Sequence, residues 1–148
     1  METSILESSV TGIELRQAMR HWDTGVTVIT AGSEPSRRIG LVSNSFTSVS
    51  LDPPLVSWCV DRNSSSFEAW CDTPAFSVHI LDDDDTDFIP RFAARGTDKF
   101  AGLTTLSTPL RTPALEAGRI RFDCRTWRTY DGGDHVIIIG EVVHIAPR

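Results

Sequence analysis

The sequence predicts a mainly β protein, an antiparallel barrel that is closed or nearly closed with a few short helices at its ends. About six segments rich in β-branched or alternating residues are separated by hairpin-style links. Long crossover helices and a G-x-G-x-x-G turn are both missing, which argues against a parallel doubly wound sheet. The 148 residues are enough for one domain with a sizeable core, and they show no internal repeat and no linker.

The first half of the chain is dominated by predicted strands. Residues 1–10 are expected to form a loose leader. Thr11 and Glu14 then form a capping box for an amphipathic helix that ends at the turn 23–25. Strands are predicted over residues 26–30, 39–51, 55–60 and 75–81, where β-branched and other apolar residues are concentrated.

Three features separate these strands. The Asp-Pro-Pro sequence at 52–54 breaks the second one, because proline cannot donate to a ladder. Ser65 and Glu68 form a second capping box, which predicts a short helix over 64–71. The acidic run 82–85 is interpreted as a solvated loop that favours the N-terminus of the next helical turn.

The second half of the chain predicts a long hairpin. Residues 88–94 are expected to be helical, and 98–102 to add a turn. Residues 118–130 alternate apolar and polar side chains, as a strand with one solvated face does. The Asp-Gly-Gly-Asp sequence at 131–134 predicts a turn, and 135–145 returns as the partner strand.

Composition limits the function classes. The formal net charge of −6 and the pI of about 5.1 argue against nucleic acid as a partner, because its phosphates require a basic surface. No apolar run approaches a membrane span, and the N-terminus lacks a secretion signal, so a cytoplasmic location without membrane contact is expected. Three cysteines without C-x-x-C spacing and scattered histidines predict neither a disulfide framework nor a metal site.

An amide and several hydroxyls surround one aromatic residue, Phe46, in and just before the stretch 44–54. These polar residues are Ser43, Asn44, Ser45, Thr47, Ser48 and Ser50. Short donors and acceptors with little charge suit a flat polar heterocycle that hydrogen-bonds along one edge. A Ser/Thr-rich strand with one solvated face explains the same composition, since such residues tolerate extended backbone. The segment by itself leaves both interpretations open.

Four blocks of sequence, in order, carry a resemblance to a known family. They are residues 15–30 (L-R-Q-A-M-R-H-W-D-T-G-V-T-V-I-T), 44–56 continuing through 59–66, R-F-A at 91–93 with D-K-F-A-G at 98–102, and Y-D-G-G-D-H at 130–135 followed by G-E-V at 140–142. Together they span most of the chain. With these blocks in this order, the chain resembles the short flavin reductases that serve two-component flavin-dependent monooxygenases.

That resemblance implies a split β-barrel of the FMN-binding type, usually a homodimer with the flavin near the subunit interface. It implies FMN or FAD as the flavin and NADH or NADPH as the electron donor. It also implies a separate flavin-dependent monooxygenase as the partner that receives the reduced flavin. Residues 1–148 would form one flavin reductase-like domain, and the C-terminal segment usual in the family is expected to be absent after Arg148.

The resemblance also implies a set of site residues. The cofactor-binding set is Ser43, Asn44, Ser45, Phe46, Thr47, Ser48, Asp61, Arg62, Ser64, Ser65, Ser66, Arg91 and Phe92. Arg62 and the serines 64–66 suit a flavin phosphate, which favours hydroxyls, a cation and a helix N-terminus. A plain N-cap would need only one of these serines. A surface salt bridge explains Arg91 equally well.

His135 resembles the family histidine that lines the nicotinamide side of the flavin. The expected role is positioning rather than proton transfer, because the flavin carries the electrons and the protein supplies orientation. An isolated histidine is more often a surface or satisfied core residue, so the assignment depends on the D-G-G-D-H block.

Three functions stay open: an NAD(P)H-dependent flavin reductase, a flavin-binding split barrel without reductase activity that acts in another redox step or as a complex partner, and a cofactor-free interaction module. The sequence does not choose FMN over FAD or NADH over NADPH, although Arg37 and Arg38 could meet a 2′-phosphate. Trp58, Trp70 and Trp127 are expected in the core or an interface, and the cysteines as buried small hydrophobic residues.

Overall fold

One antiparallel sheet dominates the computed structural model, which describes residues 25–96 and 98–147. The strands in these residues are β1 (Thr27–Ala31), β2 (Ile39–Ser43), β3 (Thr47–Leu51), β4 (Pro54–Asp61), β5 (Ala75–Ile80), β6 (Thr105–Ser107), β7 (Pro113–Leu115), β8 (Ile120–Gly132) and β9 (His135–Pro147). The helical elements are α1 (Phe67–Asp72), α2 (Phe88–Ala93) and the 3₁₀ turns Pro35–Arg37 and Asp83–Asp85. The prediction of mainly antiparallel β structure is confirmed. The predicted leader and first helix lie outside the described residues.

Seven strands form the main sheet in the order β2-β1-β5-β8-β9-β4-β3. The two edge strands, β2 and β3, are consecutive in sequence and are joined by residues 44–46 alone. The chain from Ser43 to Thr47 can span at most about 15 Å. In a flat sheet, six strand spacings would separate the edges by roughly 29 Å. The sheet must therefore curl until its edges approach, which gives a barrel that is split between β2 and β3.

The split between β2 and β3 corrects one prediction. The sequence predicts a single extended segment over 39–51, and the structure divides it into two strands at opposite edges of the sheet. Residues on both sides of the division have β propensity, so composition alone hides the crossing. The crossing loop is the polar Asn44–Ser45–Phe46 sequence, whose composition already suggested a binding role.

The capping box predicted for α1 is wrong. The helix begins at Phe67, and its N-cap Ser66 makes no side-chain cap hydrogen bond. The preceding residues form a turn instead, in which the Ser64 N–H donates to the Asp61 carbonyl and the Phe67 N–H donates to the Ser64 carbonyl. Backbone bonds therefore shape this turn, and helix capping does not consume the hydroxyl of Ser66.

Three other features differ from expectation. Part of the acidic run forms a 3₁₀ turn, and Asp85 is buried there, where it accepts hydrogen bonds from the backbone N–H groups of Asp82 and Gly118. The small β6–β7 sheet was not predicted, because three-residue strands are too short to show alternation. Trp127 is 44% exposed, so of the two predicted positions, core or interface, the core is excluded and the interface stays a prediction.

Two clusters of buried side chains fill the molecule. In the larger one, the Trp58 ring makes edge contacts with Trp70 at 5.0 Å and with Phe76 at 5.8 Å between centroids. In the smaller one, Phe92 of α2 meets Phe100 edge-on at 5.3 Å. Trp58 and Trp70 are both buried, which confirms their prediction as core residues.

The β8–β9 hairpin places the start of β9 beside the end of β4. The predicted turn and hairpin are confirmed, with Gly133 in the left-handed region at φ 80°. The register pairs His135 with Gly132 across the hairpin and with Asp61 on the other side. Backbone pairing therefore brings His135 to the residues that follow β4.

Candidate functional site

A cavity of about 370 Å³ is lined by residues of β2, β4, β9 and α2 and by the loops that follow β2, β4 and α2. It brings together eight predicted site residues: Ser43, Asn44, Ser45, Asp61, Ser64, Ser65, Phe92 and His135. These residues come from four separate stretches of sequence, and the barrel closure described above unites them. The volume lies within the ordinary range for small-molecule sites.

The first wall of the cavity is the loop that crosses the barrel split. Thr27 Oγ1 donates to the Ser43 carbonyl at 2.8 Å, and the hydroxyls of Ser43 and Ser45 lie 2.9 Å apart. The backbone N–H of Cys59 on β4 donates to Ser45 Oγ at 2.9 Å. These bonds fix the backbone on either side of Asn44, whose side chain is exposed and makes no hydrogen bond within the described ranges.

The second wall carries Lys99. Its Nζ donates to the carbonyls of Gly40 and Phe92, both at 2.8 Å, which uses two of the three ammonium protons. The close approach of β2 and α2 requires a glycine, because a Cβ on Gly40 would lie 2.6 Å from the Phe92 ring. Burial lowers the pKa of Lys99, and Arg95 lowers it further. The ammonium is therefore anchored with one donor remaining for the cavity.

The third wall is the serine turn after β4. Asp61 Oδ1 accepts the Asn63 N–H at 2.8 Å, and Arg95 Nη2 donates to the Asn63 carbonyl at 2.7 Å. The turn is thereby held from its own strand and from the segment after α2. Ser64 and Ser65 line the cavity from this fixed turn.

His135 lines the same cavity and is half-buried. Its Nδ1 lies 2.7 Å from Asp134 Oδ1, an acceptor-only carboxylate oxygen, so the ring donates from Nδ1 and keeps Nε2 for other partners. Burial raises the pKa of the neighbouring Cys59 thiol, which keeps that group neutral. The walls therefore combine hydroxyls, an amide, an imidazole and two cations, with Asp61 as the carboxylate among them.

Six predicted site residues do not line this cavity: Phe46, Thr47, Ser48, Arg62, Ser66 and Arg91. Phe46 packs on Phe122 in the core with ring centroids 5.6 Å apart, and Thr47 and Ser48 are exposed on β3. The side chains of β3 therefore lie outside the cavity, although the loop before them lines it.

The two predicted arginines support the cavity from outside. Arg62 donates to Asp131 Oδ1 at 2.6 Å and to the Gly133 carbonyl at 2.8 Å, so it holds the turn before His135. Arg91 donates from Nη1 to the carbonyls of Lys99 and Ala101. Each arginine fixes a segment that carries a lining residue. Ser66 lines an adjoining cavity.

Both cations of the cavity, Arg95 and Lys99, were absent from the residues predicted from sequence. Lys99 is the only lysine in a chain that otherwise uses arginine, and it lies in the D-K-F-A-G block. A single lysine in an acidic protein was a usable signal, because lysine binds phosphate as a point charge. In the part of the chain that the structure describes, no cluster of His, Cys, Asp and Glu could hold a metal ion, and no helix has the length and hydropathy to cross a membrane.

Comparisons with known proteins find a matching family and several similar proteins. The profile of the family described as "Flavin reductase like domain" matches residues 19–148. The FMN reductase (NADH) SmoA of Agrobacterium fabrum is 40% identical over 133 residues, which cover 90% of this chain and 75% of SmoA. The reductase component of the flavin-dependent trigonelline monooxygenase of Acinetobacter baylyi is 36% identical over 129 residues.

Coverage differs among these relatives. The match to the Acinetobacter reductase component covers 87% of this chain and 42% of that protein, so the chain spans less than half of its length. The solved structure of the NADH:FAD oxidoreductase SgcE6 of Streptomyces globisporus superposes with a TM-score of 0.86 at 32% identity. That superposition covers 99% of this chain and 88% of SgcE6.

Proposed function

Because the chain belongs to the flavin reductase-like family, we propose that it is an NAD(P)H-dependent flavin reductase. Its product would be reduced FMN or FAD, which passes to a separate flavin-dependent monooxygenase. The relatives' names support each part: one is an FMN reductase that uses NADH, one an NADH:FAD oxidoreductase, and one the reductase component of a monooxygenase.

The cavity described above carries the proposal, because its donors suit a flavin in both kind and order. Asn44 and the hydroxyls of Ser43 and Ser45 offer donors and acceptors to the polar edge of a heterocycle. Ser64, Ser65, Arg95 and Lys99 offer hydroxyls and positive charge to a phosphate. The residues present therefore fit a flavin nucleotide.

A bound flavin would supply the redox chemistry between the nicotinamide and the partner monooxygenase. The chain's own residues bind and orient. Asn44 would hold the polar edge of the ring, Lys99 would neutralise the phosphate, and His135, with Nε2 available, would position the nicotinamide. Asp134 keeps the proton of His135 on Nδ1. No nucleophile or general base is required, and the cavity shows no nucleophile paired with a base among the described residues.

Arg62 and Arg91 are positioning residues in this proposal. Arg62 holds the turn that carries His135, and Arg91 holds the segment that carries Lys99. Phe46 anchors the crossing loop by packing in the core, so that Asn44 and Ser45 keep their places. Thr47 and Ser48 lie outside the cavity and receive no role here, whereas Ser66 lines the adjoining cavity.

We propose further that two copies of the chain associate and that the protein works in the cytoplasm. Large apolar side chains are exposed on the long β8–β9 hairpin: Trp127 at 44%, Tyr130 at 49%, Val143 at 41% and Ile145 at 52%. A second copy of the hairpin would remove them from water. The three cysteines are all free thiols, which suits a reducing compartment. Light scattering of the purified protein tests the dimer.

The activity is tested by following NADH and NADPH oxidation by the purified chain, with and without added FMN or FAD. We expect oxidation that requires flavin and that falls by about tenfold in His135→Ala, because a misplaced nicotinamide loses its approach geometry. Asp134→Asn should cause a smaller fall in activity, since it keeps the His135 ring but weakens the hydrogen bond that orients it. Tight flavin binding with no nicotinamide oxidation would contradict the proposal.

A further inference from the structure

A second cavity, of about 260 Å³, adjoins the first one. The two cavities share Ser65 and Lys99, so the serine turn and the ammonium form a junction between them. Beyond the junction, the second cavity is lined by Arg38, Ser66 and Phe100, among others. The two adjoining cavities are together called the groove, and a ligand that extends past Ser65 and Lys99 would enter the second cavity.

Arg38 is the second cation of this cavity beside Lys99, and it also lines a neighbouring cavity together with Thr105. Its Cζ lies 4.9 Å from the centroid of the buried Phe100 ring, and Nη1 donates to Thr105 Oγ1 at 3.2 Å. Its Nε is buried without a hydrogen-bond partner in the described residues. The Arg38 guanidinium thus makes few of the hydrogen bonds that it can donate.

The net charge of the groove contrasts with that of the chain. The two cavities collect Arg38, Arg95 and Lys99, against the carboxylates of Asp61 and Asp98. The chain as a whole has 20 acidic residues and 14 basic ones. One carboxylate oxygen of Asp98, Oδ1, already accepts a hydrogen bond from the Phe100 N–H at 3.0 Å. The two cavities together hold three basic and two acidic side chains, and the two cations Lys99 and Arg38 of the second cavity suit a ligand with more than one phosphate.

The order of groups along the groove identifies that ligand. The ring-binding residues lie in the first cavity, and the phosphate-binding Ser65 and Lys99 lie at the junction. A flavin mononucleotide would end at the junction. We propose that the second cavity holds the adenylate half of FAD, with Arg38 on the second phosphate. This inference rests on the proposed function, because it assumes that a flavin ring occupies the first cavity.

Calorimetric titration of the purified full chain with FAD, FMN and riboflavin tests the inference. We expect FAD to bind at least about tenfold more tightly than FMN. Arg38→Met should weaken FAD by about tenfold and leave FMN within about twofold. Arg37→Met is the matched control, because Arg37 is the neighbouring arginine and is exposed outside both cavities. It should change neither affinity.

The retained affinity of Arg38→Met for FMN also reports that the variant is folded. If Arg38→Met does not fold, Ser66→Ala must show the same selective loss of FAD. Equal affinities of the wild type for FAD and FMN would overturn the inference, as would an equal loss of both in the variant. NADPH is titrated into the same variant, and a loss of affinity confined to NADPH would assign Arg38 to the nicotinamide nucleotide and overturn the inference. Failure of all three flavins to bind would instead overturn the proposed function.

Discussion

Two polar regions of this molecule differ in how their hydrogen bonds are used. Around Asp123, on the β5–β8 side of the barrel, buried polar groups satisfy one another. In the candidate flavin cavity, Asn44 makes no side-chain bond in the described residues and Lys99 keeps one donor. Polar residues that are satisfied internally stabilise a fold, whereas those with donors left over can bind a ligand.

The Asp123 carboxylate has hydrogen-bond donors on both of its oxygens. The carboxylate accepts hydrogen bonds from Ser77 Oγ at 2.6 Å, from Arg121 at 2.8 and 3.1 Å, and from His144 Nδ1 at 2.7 Å. Burial alone would raise the pKa of Asp123, but these three partners outweigh it and lower the pKa. The carboxylate therefore stays charged, buried and paired.

Among the substitutions that test this difference, Asp123→Ala should have the largest effect on stability. The substitution removes the common acceptor of three side chains and leaves Arg121 without its buried partner. We expect the free energy of unfolding to fall by about 3–5 kcal/mol in urea titrations. Asp131→Ala, which removes an exposed partner of Arg62, is the control and should cost much less. An equal fall in the free energy of unfolding in the two variants would show that the buried Asp123 network stabilises the fold no more than an exposed ion pair does.

Acid should weaken the fold through His79, which is fully buried. The His79 Nδ1–H donates to the Val28 carbonyl, and Nε2 accepts the Leu115 N–H. Burial lowers the pKa of His79 from 6.5 to about 4. Between these values the unfolded chain binds more protons than the folded one, so stability falls as the pH falls. We expect a loss of about 3 kcal/mol across that window.

Urea titrations at several pH values would measure this slope. His79→Gln removes the titrating group while keeping an acceptor for Leu115, so its stability should vary much less over the same window. Asp123 adds a further loss below its ordinary pKa of 3.8, because its folded pKa is lower. An unchanged slope in His79→Gln would assign the acid sensitivity elsewhere.

Gly40→Ala should affect the fold and the cavity together. The added methyl group would lie 2.6 Å from the Phe92 ring, and both residues provide carbonyls to Lys99. We expect a loss of about 1–3 kcal/mol in thermal or urea unfolding, together with weaker flavin binding. Gly25→Ala is the control, since among residues 25–96 and 98–147 no atom beyond the chain neighbours lies within 4 Å of the position that its added methyl group would take. Unchanged flavin binding in a destabilised Gly40→Ala protein would separate α2 from the site.

Lys99→Met should have the smallest and most selective effect. Affinity for FMN and FAD should fall by about tenfold, since an ammonium beside a phosphate is lost, and riboflavin affinity should stay the same. Arg119→Met matches the change in charge outside the cavity and should alter none of the three affinities. Calorimetry measures all of them. A parallel loss of riboflavin would mean that Lys99 only supports the structure.

The sequence predicted the parts of the fold that regular patterns encode. Alternation over 118–130 and the Asp-Gly-Gly-Asp turn located the β8–β9 hairpin, which is confirmed from Ile120 to Pro147. The division between β2 and β3 was not predictable from local pattern, because strand propensity continues on both sides of Asn44. The pairing that places them at opposite edges is a property of the whole sheet.

The candidate site, like the fold, was only partly predictable from the sequence. Residues in the crossing loop and the serine turn were found from composition and family blocks, and the structure places them in one cavity. Arg62 was expected at the phosphate on the basis of its neighbours in sequence, yet its guanidinium binds Asp131. Lys99 lies far along the chain from those serines, and the packing of α2 on β2 brings it to them. Composition cannot reveal such a contact.

We propose above that the cavity with unused hydrogen-bond donors binds a flavin. The most direct measurement is the calorimetric titration of folded wild-type protein and of Asn44→Ala with FMN and FAD. We expect saturable binding by the wild type and a clear loss in Asn44→Ala, whose unfolding transition should match that of the wild type. A folded wild-type protein that binds neither flavin, or an Asn44→Ala variant that binds as tightly as the wild type, would contradict it.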